Sequence, residues 1–233
     1  MAMRDYDSVI ADCTEAIRLN PNDALAYNNR GNAYLKGLYD YDSAIADFKE
    51  VIELDPNYAN AYYNRGLAYC YKKDFDNAIA DFNESIRLDP NDASAYYFRG
   101  IAYSKKKDYD SVIADFKETI RLDPYYSDFV DDIFNSSGIA YLLEDNDYDS
   151  AIAYFNAAIR LNPDCADAYC NRGIAYGKKE DYDSAIADFK EAIRLNPNDA
   201  SAYYYRGNLY EAKGKKAEAK KDYAKAKKLG YRI

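Results

Sequence analysis

The chain contains neither histidine nor tryptophan among its 233 residues. Without histidine, it lacks the usual general base of nucleophilic catalysis near neutral pH and the commonest zinc ligand. Four cysteines are present at unrelated spacings, which is typical of free thiols rather than of a metal site: Cys13, Cys70, Cys165 and Cys170. We therefore expect no enzyme activity, no cofactor and no bound metal.

Long apolar runs are also missing, since no stretch approaches the roughly 18 to 20 apolar residues of a membrane span. The N-terminus has no basic segment followed by an apolar one, so it carries no secretory signal. The net charge of -9 argues against nucleic acid, because phosphate binding depends on clusters of lysine and arginine. The sequence predicts a soluble, cytoplasmic protein that binds neither membranes nor nucleic acid.

Proline is scarce but regularly placed. Each of the six prolines follows Leu and then Asn or Asp, and successive prolines are 34 to 39 residues apart: Pro21, Pro56, Pro90, Pro124, Pro163 and Pro197. Self-similarity at such a period indicates stacked structural repeats.

Each repeat contains two helical patterns. In the unit 93–124, one helical face is formed by Tyr96, Arg99, Gly100 and Tyr103. A second stripe is formed by Ile113, Phe116 and Ile120, and the polar run SKKKD between the two stripes marks a turn. Each unit is therefore predicted to be a helix hairpin.

The repeated positions resemble a known family. Counted from the first residue of each unit, an aromatic residue stands at position four, Gly at eight, Tyr at eleven, Phe at twenty-four and Pro at thirty-two. This pattern resembles the tetratricopeptide repeat. The resemblance implies an all-α, right-handed superhelical solenoid of antiparallel helix hairpins, and one half unit plus six hairpins gives thirteen helices.

We expect a single array over residues 1–233. It would begin with a half repeat, 3–21, and continue with repeats at 24–56, 59–90, 93–124, 125–163, 166–197 and 200–233, the last being a C-terminal cap. The repeat 125–163 has about four additional residues, which predicts one extra helical turn. That insertion is either tolerated without function or serves as a recognition element or hinge.

Two departures from the family pattern stand out. Tyrosine or phenylalanine replaces the common tryptophan at position four, and arginine replaces the usual leucine at position seven. Five units combine this arginine with an aspartate in the second helix, and the lengthened unit has Ser137 and Tyr154 instead. We expect the two charges to pair within each hairpin; the alternative is a row of ligand-binding arginines.

Positions two, five, six, nine and thirteen of each first helix form the opposite stripe, which lines the concave surface in tetratricopeptide arrays. Asparagine there offers a donor and an acceptor to an extended peptide, and tyrosine offers rigid contact area. The candidate peptide-binding residues are Asn28, Asn32, Asn64, Tyr63, Tyr97, Phe98, Asn171, Tyr204 and Asn208. The basic clamp that family members use for terminal carboxylates is missing.

The resemblance implies a protein-protein interaction scaffold that binds an extended peptide or partner segment in this groove. The alternative is a self-assembling scaffold. In that case, homo-oligomers would form through the N-terminal half repeat or the basic C-terminal helix.

Overall fold

The computed structural model describes residues 6–143 and 146–232, with every side chain except those at 128, 129, 131, 132, 135, 136 and 140. The predicted start of the half repeat at Met3 lies outside these residues. The chain divides into two compact units, Met1–Pro124 and Tyr125–Ile233. Within the described residues there are thirteen α-helices and no strands, which confirms the predicted all-α fold.

The first unit contains helices α1 to α7. Their bounds are α1 Tyr6–Leu19, α2 Ala24–Ala33, α3 Tyr41–Leu54, α4 Ala59–Tyr71, α5 Phe75–Leu88, α6 Ala93–Lys105 and α7 Tyr109–Leu122. Helices α2 and α3, α4 and α5, and α6 and α7 pack as hairpins. Helix α1 packs against α2, and each later hairpin packs against the one before it.

The second unit contains helices α8 to α13. Their bounds are α8 Ser127–Leu143, α9 Tyr148–Leu161, α10 Ala166–Lys178, α11 Tyr182–Leu195, α12 Ala200–Ala212 and α13 Lys216–Lys228. They form three hairpins, α8 with α9, α10 with α11, and α12 with α13. None of the described helices in either unit is both long enough and apolar enough to cross a membrane.

Aspartates fix where the second helices begin. Asp40, Asp74 and Asp108 each precede a second helix in the first unit, and Asp147 and Asp181 do so in the second. In each case the carboxylate accepts a hydrogen bond from a main-chain N–H of the first turn, which otherwise has no partner in the helix.

Close approach of the two helices in a hairpin depends on glycine at position eight. A Cβ atom on Gly100 would lie 2.6 Å from the ring of Phe116, the aromatic residue at position twenty-four. The other hairpins repeat this contact with the pairs Gly31–Phe48, Gly66–Phe82, Gly138–Phe155, Gly173–Phe189 and Gly207–Tyr223. Because a larger residue would push the ring away, these glycines let the aromatic side chain fill the hairpin core.

The predicted ion pairs form in all five hairpins that carry both residues. The pairs are Arg30–Asp47, Arg65–Asp81, Arg99–Asp115, Arg172–Asp188 and Arg206–Asp222, and in each the guanidinium donates two hydrogen bonds of 2.6 to 2.9 Å to one carboxylate. All five aspartates are buried. Each guanidinium also lies over the tyrosine ring at position four of its own helix.

Burial makes the charge of each carboxylate costly unless the facing arginine compensates it. It raises the pKa of the Asp81 and Asp115 carboxyls, whereas the hydrogen bonds from the facing arginines lower it. A buried carboxylate that lost its arginine would remain desolvated without compensation.

The lengthened hairpin has aromatic side chains at the position where the other hairpins have the ion pair. Helix α8 has 17 residues, whereas α4, α6, α10 and α12 have 13 each, which confirms the predicted extra turn. Tyr154 occupies the aspartate position and is only 1% exposed. Its ring stacks on Tyr141 at 5.4 Å and lies 6.4 Å from Phe134, so an aromatic contact replaces the ion pair.

We predict that Arg99→Leu and Asp115→Ala each lower the free energy of unfolding by about 3–5 kcal/mol, because each variant leaves one buried charge without its partner. The double variant should be less destabilised than either single variant. Urea unfolding of the four proteins measures this coupling, and additive losses would contradict it. The matched control is Glu118→Ala, which breaks an exposed pair with Arg121 and should leave the midpoint nearly unchanged.

Candidate functional site

A cleft of about 910 Å³ lies at the N-terminal end of the first unit, and we call it the N-terminal cleft. Helices α1, α2 and α4 supply most of its walls, and four of the predicted peptide-binding residues line it: Asn28, Asn32, Tyr63 and Asn64. Further lining residues include Tyr6, Val9, Asp12, Cys13, Lys36, Tyr58 and Asn60. No residue of α1 is buried, so this wall of the cleft is open to solvent.

Two acceptor atoms in this cleft lack donors. The side-chain oxygens Oδ1 of Asn28 and Asn32 are buried and accept no hydrogen bond from any described residue. Asn32 Nδ2 donates to the main-chain oxygen of Asn28 at 2.9 Å, which fixes the Asn32 amide with its Oδ1 pointing elsewhere. Asn28 is only 9% exposed, so water can form few hydrogen bonds with its side chain.

A π-helical segment, Tyr34–Leu38, follows α2 and shapes one wall of the cleft. Arg30 and Asp47 are 17 residues apart, whereas the other four pairs are 16 apart, so this hairpin contains one additional residue between them. A π-helical turn accommodates a single insertion without breaking the helix. The segment presents Lys36 to the cleft. It ends at Tyr39, whose backbone adopts the left-handed conformation at φ 56°.

Charge in the cleft is sparse and of both signs. Asp12 and Lys36 are its charged lining residues, and both are exposed. Asp12 forms no hydrogen bond or ion pair with any described residue. Asn28, Asn60 and Asn64 dominate the remaining polar surface, so the cleft suits hydrogen-bonded contacts more than the binding of a highly charged ligand.

The other predicted residues of the first unit lie elsewhere. Phe98 lines a separate apolar cleft of about 510 Å³ with Leu67, Tyr71 and Ile101. Tyr97 packs against Phe98 and also against Phe116 in its own hairpin, with ring centroids 5.8 Å apart in the second pair. Tyr97 therefore contributes to the hairpin core as well as to the surface.

In the second unit, one of the three predicted residues lines a cleft. Asn171 belongs to a cleft of about 430 Å³ that also contains Cys170 and Asp199. Tyr204 stacks on Tyr231 of the C-terminal segment at 4.4 Å, and Asn208 accepts a 2.8 Å hydrogen bond from the Tyr223 hydroxyl. Tyr204 and Asn208, two candidate peptide-binding residues, therefore make contacts within the fold.

The protonation of the cysteine thiols favours ligand binding over nucleophilic chemistry at the site. Burial raises the pKa of the Cys13 thiol in the N-terminal cleft, and it raises that of Cys70 to about 12. Both thiols are therefore protonated at neutral pH, and a thiolate is the form needed for nucleophilic attack or metal binding. Across the described residues, carboxylates and thiols do not gather in groups of three or more that could hold a metal ion.

Sequence reasoning identified the α2 and α4 walls of this cleft but missed the contribution of α1. Tyr6, Val9, Asp12 and Cys13 were overlooked as site residues because their positions are interior in every complete hairpin. The available signal was the half repeat itself, in which Asp12 and Cys13 occupy the positions of the buried Asp47 and Phe48 of α3.

Three family models match the chain. Two are described as tetratricopeptide repeat, one matching residues 59–92, 93–126 and 166–199 and the other 13–46 and 189–221. A third, described as TPR repeat, matches residues 40–70 and 141–180. Together the three models cover most of the chain. No curated protein sequence matches it.

Solved structures are similar in fold. YrrB, described as a TPR protein with an unusual peptide-binding site, is 24% identical with a TM-score of 0.53, over 82% of this chain and 95% of that one. A tetratricopeptide repeat protein from Parabacteroides merdae is 21% identical with a TM-score of 0.52, over 98% of this chain and 88% of that one.

We predict that Gly37→Ala disturbs the α1 wall of the cleft, because its Cβ would overlap ring atoms of Tyr6. The ring must move, and overpacking of this kind costs about 1–3 kcal/mol of unfolding free energy. Gly177→Ala is the control, since its Cβ would meet Leu209 at an ordinary 3.4 Å. Thermal unfolding of both variants measures the difference; equal stability would show that Tyr6 is not held against Gly37.

Proposed function

The chain belongs to the tetratricopeptide repeat family, and we propose that it is a non-enzymatic scaffold that binds a segment of another protein in the N-terminal cleft. The observation that carries this proposal is the pair of buried, donorless oxygens on Asn28 and Asn32. A buried acceptor without a partner costs about 1–3 kcal/mol. A ligand that supplies two N–H groups removes that cost.

The spacing of the two asparagines fits an extended segment. Asn28 and Asn32 are one turn apart on the same face of α2, which places them about 6 Å apart along the helix axis. In an extended chain, N–H groups on the same side recur every second residue, about 6.6 Å apart. The spacing therefore matches two N–H groups of a peptide lying along α2. Because each Oδ1 is buried in the free protein, both side chains must turn toward the peptide to accept its hydrogen bonds.

The remaining walls provide contact area for such a peptide. Tyr63 and Tyr58 line the cleft and offer large, semi-rigid surfaces at a small cost in conformational entropy. Asn64 lines the same wall, adding a polar group beside them. Alternate side chains of the peptide would face these residues while its backbone contacts α2.

The other candidate residues take a smaller part in this proposal. Asn171 and Phe98 line their own clefts and are candidates for further contacts. Tyr97, Tyr204 and Asn208 already have partners within the fold, and we assign them mainly to packing.

We predict that Asn28→Ala and Asn32→Ala each weaken peptide binding by about 1–3 kcal/mol through the lost hydrogen bond. Asn28→Ala should not lower the melting temperature, because the oxygen that it removes has no donor in the free protein. Asn32→Ala also loses the hydrogen bond to the main-chain oxygen of Asn28, so its melting temperature should fall slightly. A peptide selected from a random displayed library against the wild-type chain serves as the probe, and calorimetric titration gives the affinities. Asn91→Ala, an exposed asparagine outside the cleft, is the control and should bind normally.

Self-assembly is the other outcome of this experiment. If the cleft joins copies of the chain, sedimentation will show a mass that grows with concentration and falls in Asn28→Ala. Unchanged peptide affinity in both asparagine variants would remove the N-terminal cleft as the binding site.

A further inference from the structure

Helix α4 has two chemically different halves along one of its faces. Asn60, Tyr63 and Asn64, in its first two turns, line the N-terminal cleft. Leu67 and Tyr71, about one and two turns further on, line the cleft of about 510 Å³ that contains Phe98, and we call this second cleft the apolar cleft. A single helix is therefore a wall of both an amide-rich cleft and an apolar one.

The apolar cleft lies between α4 and α6 in the first unit. Most of its wall is apolar or aromatic, formed by Leu67, Cys70, Tyr71, Phe75, Phe98 and Ile101. It adjoins the N-terminal cleft, because the ring of Tyr63 packs edge-on against that of Phe98 with centroids 6.0 Å apart. Packed helices lie about 8–10 Å apart, which about three residues of an extended chain span. One bound segment can therefore reach both clefts.

The charged residues that line the apolar cleft are two lysines. Lys73 follows the end of α4 and Lys105 is the last residue of α6, and both are exposed. Neither forms an ion pair with a described residue, and none of the described residues that line the cleft is acidic. The cleft therefore combines an apolar wall with two uncompensated positive charges.

The charged neighbours of these lysines in the chain already have partners. Lys72 pairs with Asp42 of the preceding hairpin. Lys106 pairs in the same way with Asp76. Asp74 accepts two hydrogen bonds from the first turn of α5, which it caps. These groups therefore leave the charge of the two cleft lysines available to a ligand.

Equivalent positions in the second unit show that the fold does not require this charge. Glu180 follows α10 where Lys73 follows α4, and Ala212 ends α12 where Lys105 ends α6. All four of these first helices nevertheless have 13 residues. The two lysines are therefore particular to the apolar cleft, as expected of residues that contact a ligand.

We propose that the segment bound by this chain places a bulky apolar side chain in the apolar cleft and an adjacent acidic residue beside Lys73 and Lys105. This inference rests on the proposed function and adds the chemistry of the ligand. Main-chain N–H groups of the segment reach the N-terminal cleft, while its acidic and apolar residues reach the apolar cleft.

The apolar part of the ligand follows from the surface that it would meet. Tyr71 is 59% exposed, and its ring is supported by stacking on Tyr41 with centroids 5.1 Å apart. A bulky apolar side chain removes this ring and its own surface from water, which favours binding. The contact requires little rearrangement, because stacking already orients the Tyr71 ring.

The acidic part follows from the two ammonium groups. An ammonium only donates hydrogen bonds, so its complement is an acceptor, and a carboxylate also supplies the opposite charge. A basic residue at the same place would be repelled by both Lys73 and Lys105. The lysines therefore select acidic over basic segments.

The test uses three blocked tetrapeptides. The first is acetyl-Ala-Phe-Glu-Ala-amide, the second has glutamine in place of glutamate, and the third has alanine in place of phenylalanine. Each is titrated into the full chain with labelled methyl groups, and NMR shifts of the Leu67 and Ile101 methyls report occupancy of the apolar cleft. We expect the glutamate peptide to bind about two- to fivefold more tightly than the glutamine peptide. Loss of the phenylalanine should weaken binding at least about tenfold.

The double variant Lys73→Gln with Lys105→Gln should remove the preference for glutamate and keep the requirement for phenylalanine. Its matched control is Lys117→Gln with Lys190→Gln, which removes the same two charges from exposed positions outside the cleft. The control should keep the preference, and its loss there would show general charge attraction and overturn the inference. Circular dichroism verifies that both double variants fold.

The outcomes separate this inference from the proposed function. Equal binding of the glutamate and glutamine peptides, or no shift of either methyl with any tetrapeptide, overturns the inference. The scaffold function is judged separately, by whether Asn28→Ala weakens the library-selected peptide. If sedimentation shows dimers of the free chain that the cleft double variant dissociates, the occupant is a second copy and the inference is overturned.

Discussion

Burial of one aspartate in the second helix of five hairpins is the constraint on which the rest of this structure depends. A desolvated carboxylate must receive strong hydrogen bonds, and in five hairpins the facing first helix supplies them through an arginine fork. This requirement fixes the register of the two helices, because only one arrangement brings the guanidinium onto the carboxylate. Where the first helix changes, the second must change too: Tyr154 replaces the charge with an aromatic contact, and Ser137 stands where the arginine would be.

The same constraint explains how a repeated structural element becomes a candidate binding site. In these five hairpins the buried aspartate receives its hydrogen bonds from the arginine of the same hairpin, so it needs no donor from another molecule. Helix α1 retains the aspartate as Asp12, which is exposed and lines the N-terminal cleft. The cleft therefore uses residue types that the repeat already contains.

The repeat pattern was sufficient to predict the hairpins, the ion pairs and the extra turn of α8, because each depends on residues within one unit. The candidate site could be predicted only in part. Burial of Asn28 and Asn64 depends on how closely neighbouring first helices pack, which a helical wheel for one helix does not contain. The contact of Tyr204 with Tyr231 depends on the path of the chain after α13. The π-helical turn at Tyr34–Leu38 follows from a single added residue, and such an insertion has no composition of its own to mark it.

The two donorless asparagine oxygens are best understood as a compromise between stability and recognition. A protein selected for stability alone would replace Asn28 with an apolar residue such as alanine and would avoid the cost of an unsatisfied acceptor. The Asn32 amide donates to the main-chain oxygen of Asn28, which leaves its own Oδ1 without a donor. A ligand that supplies a donor when these side chains turn toward it removes a cost that the free protein carries, and that cost is recovered as affinity.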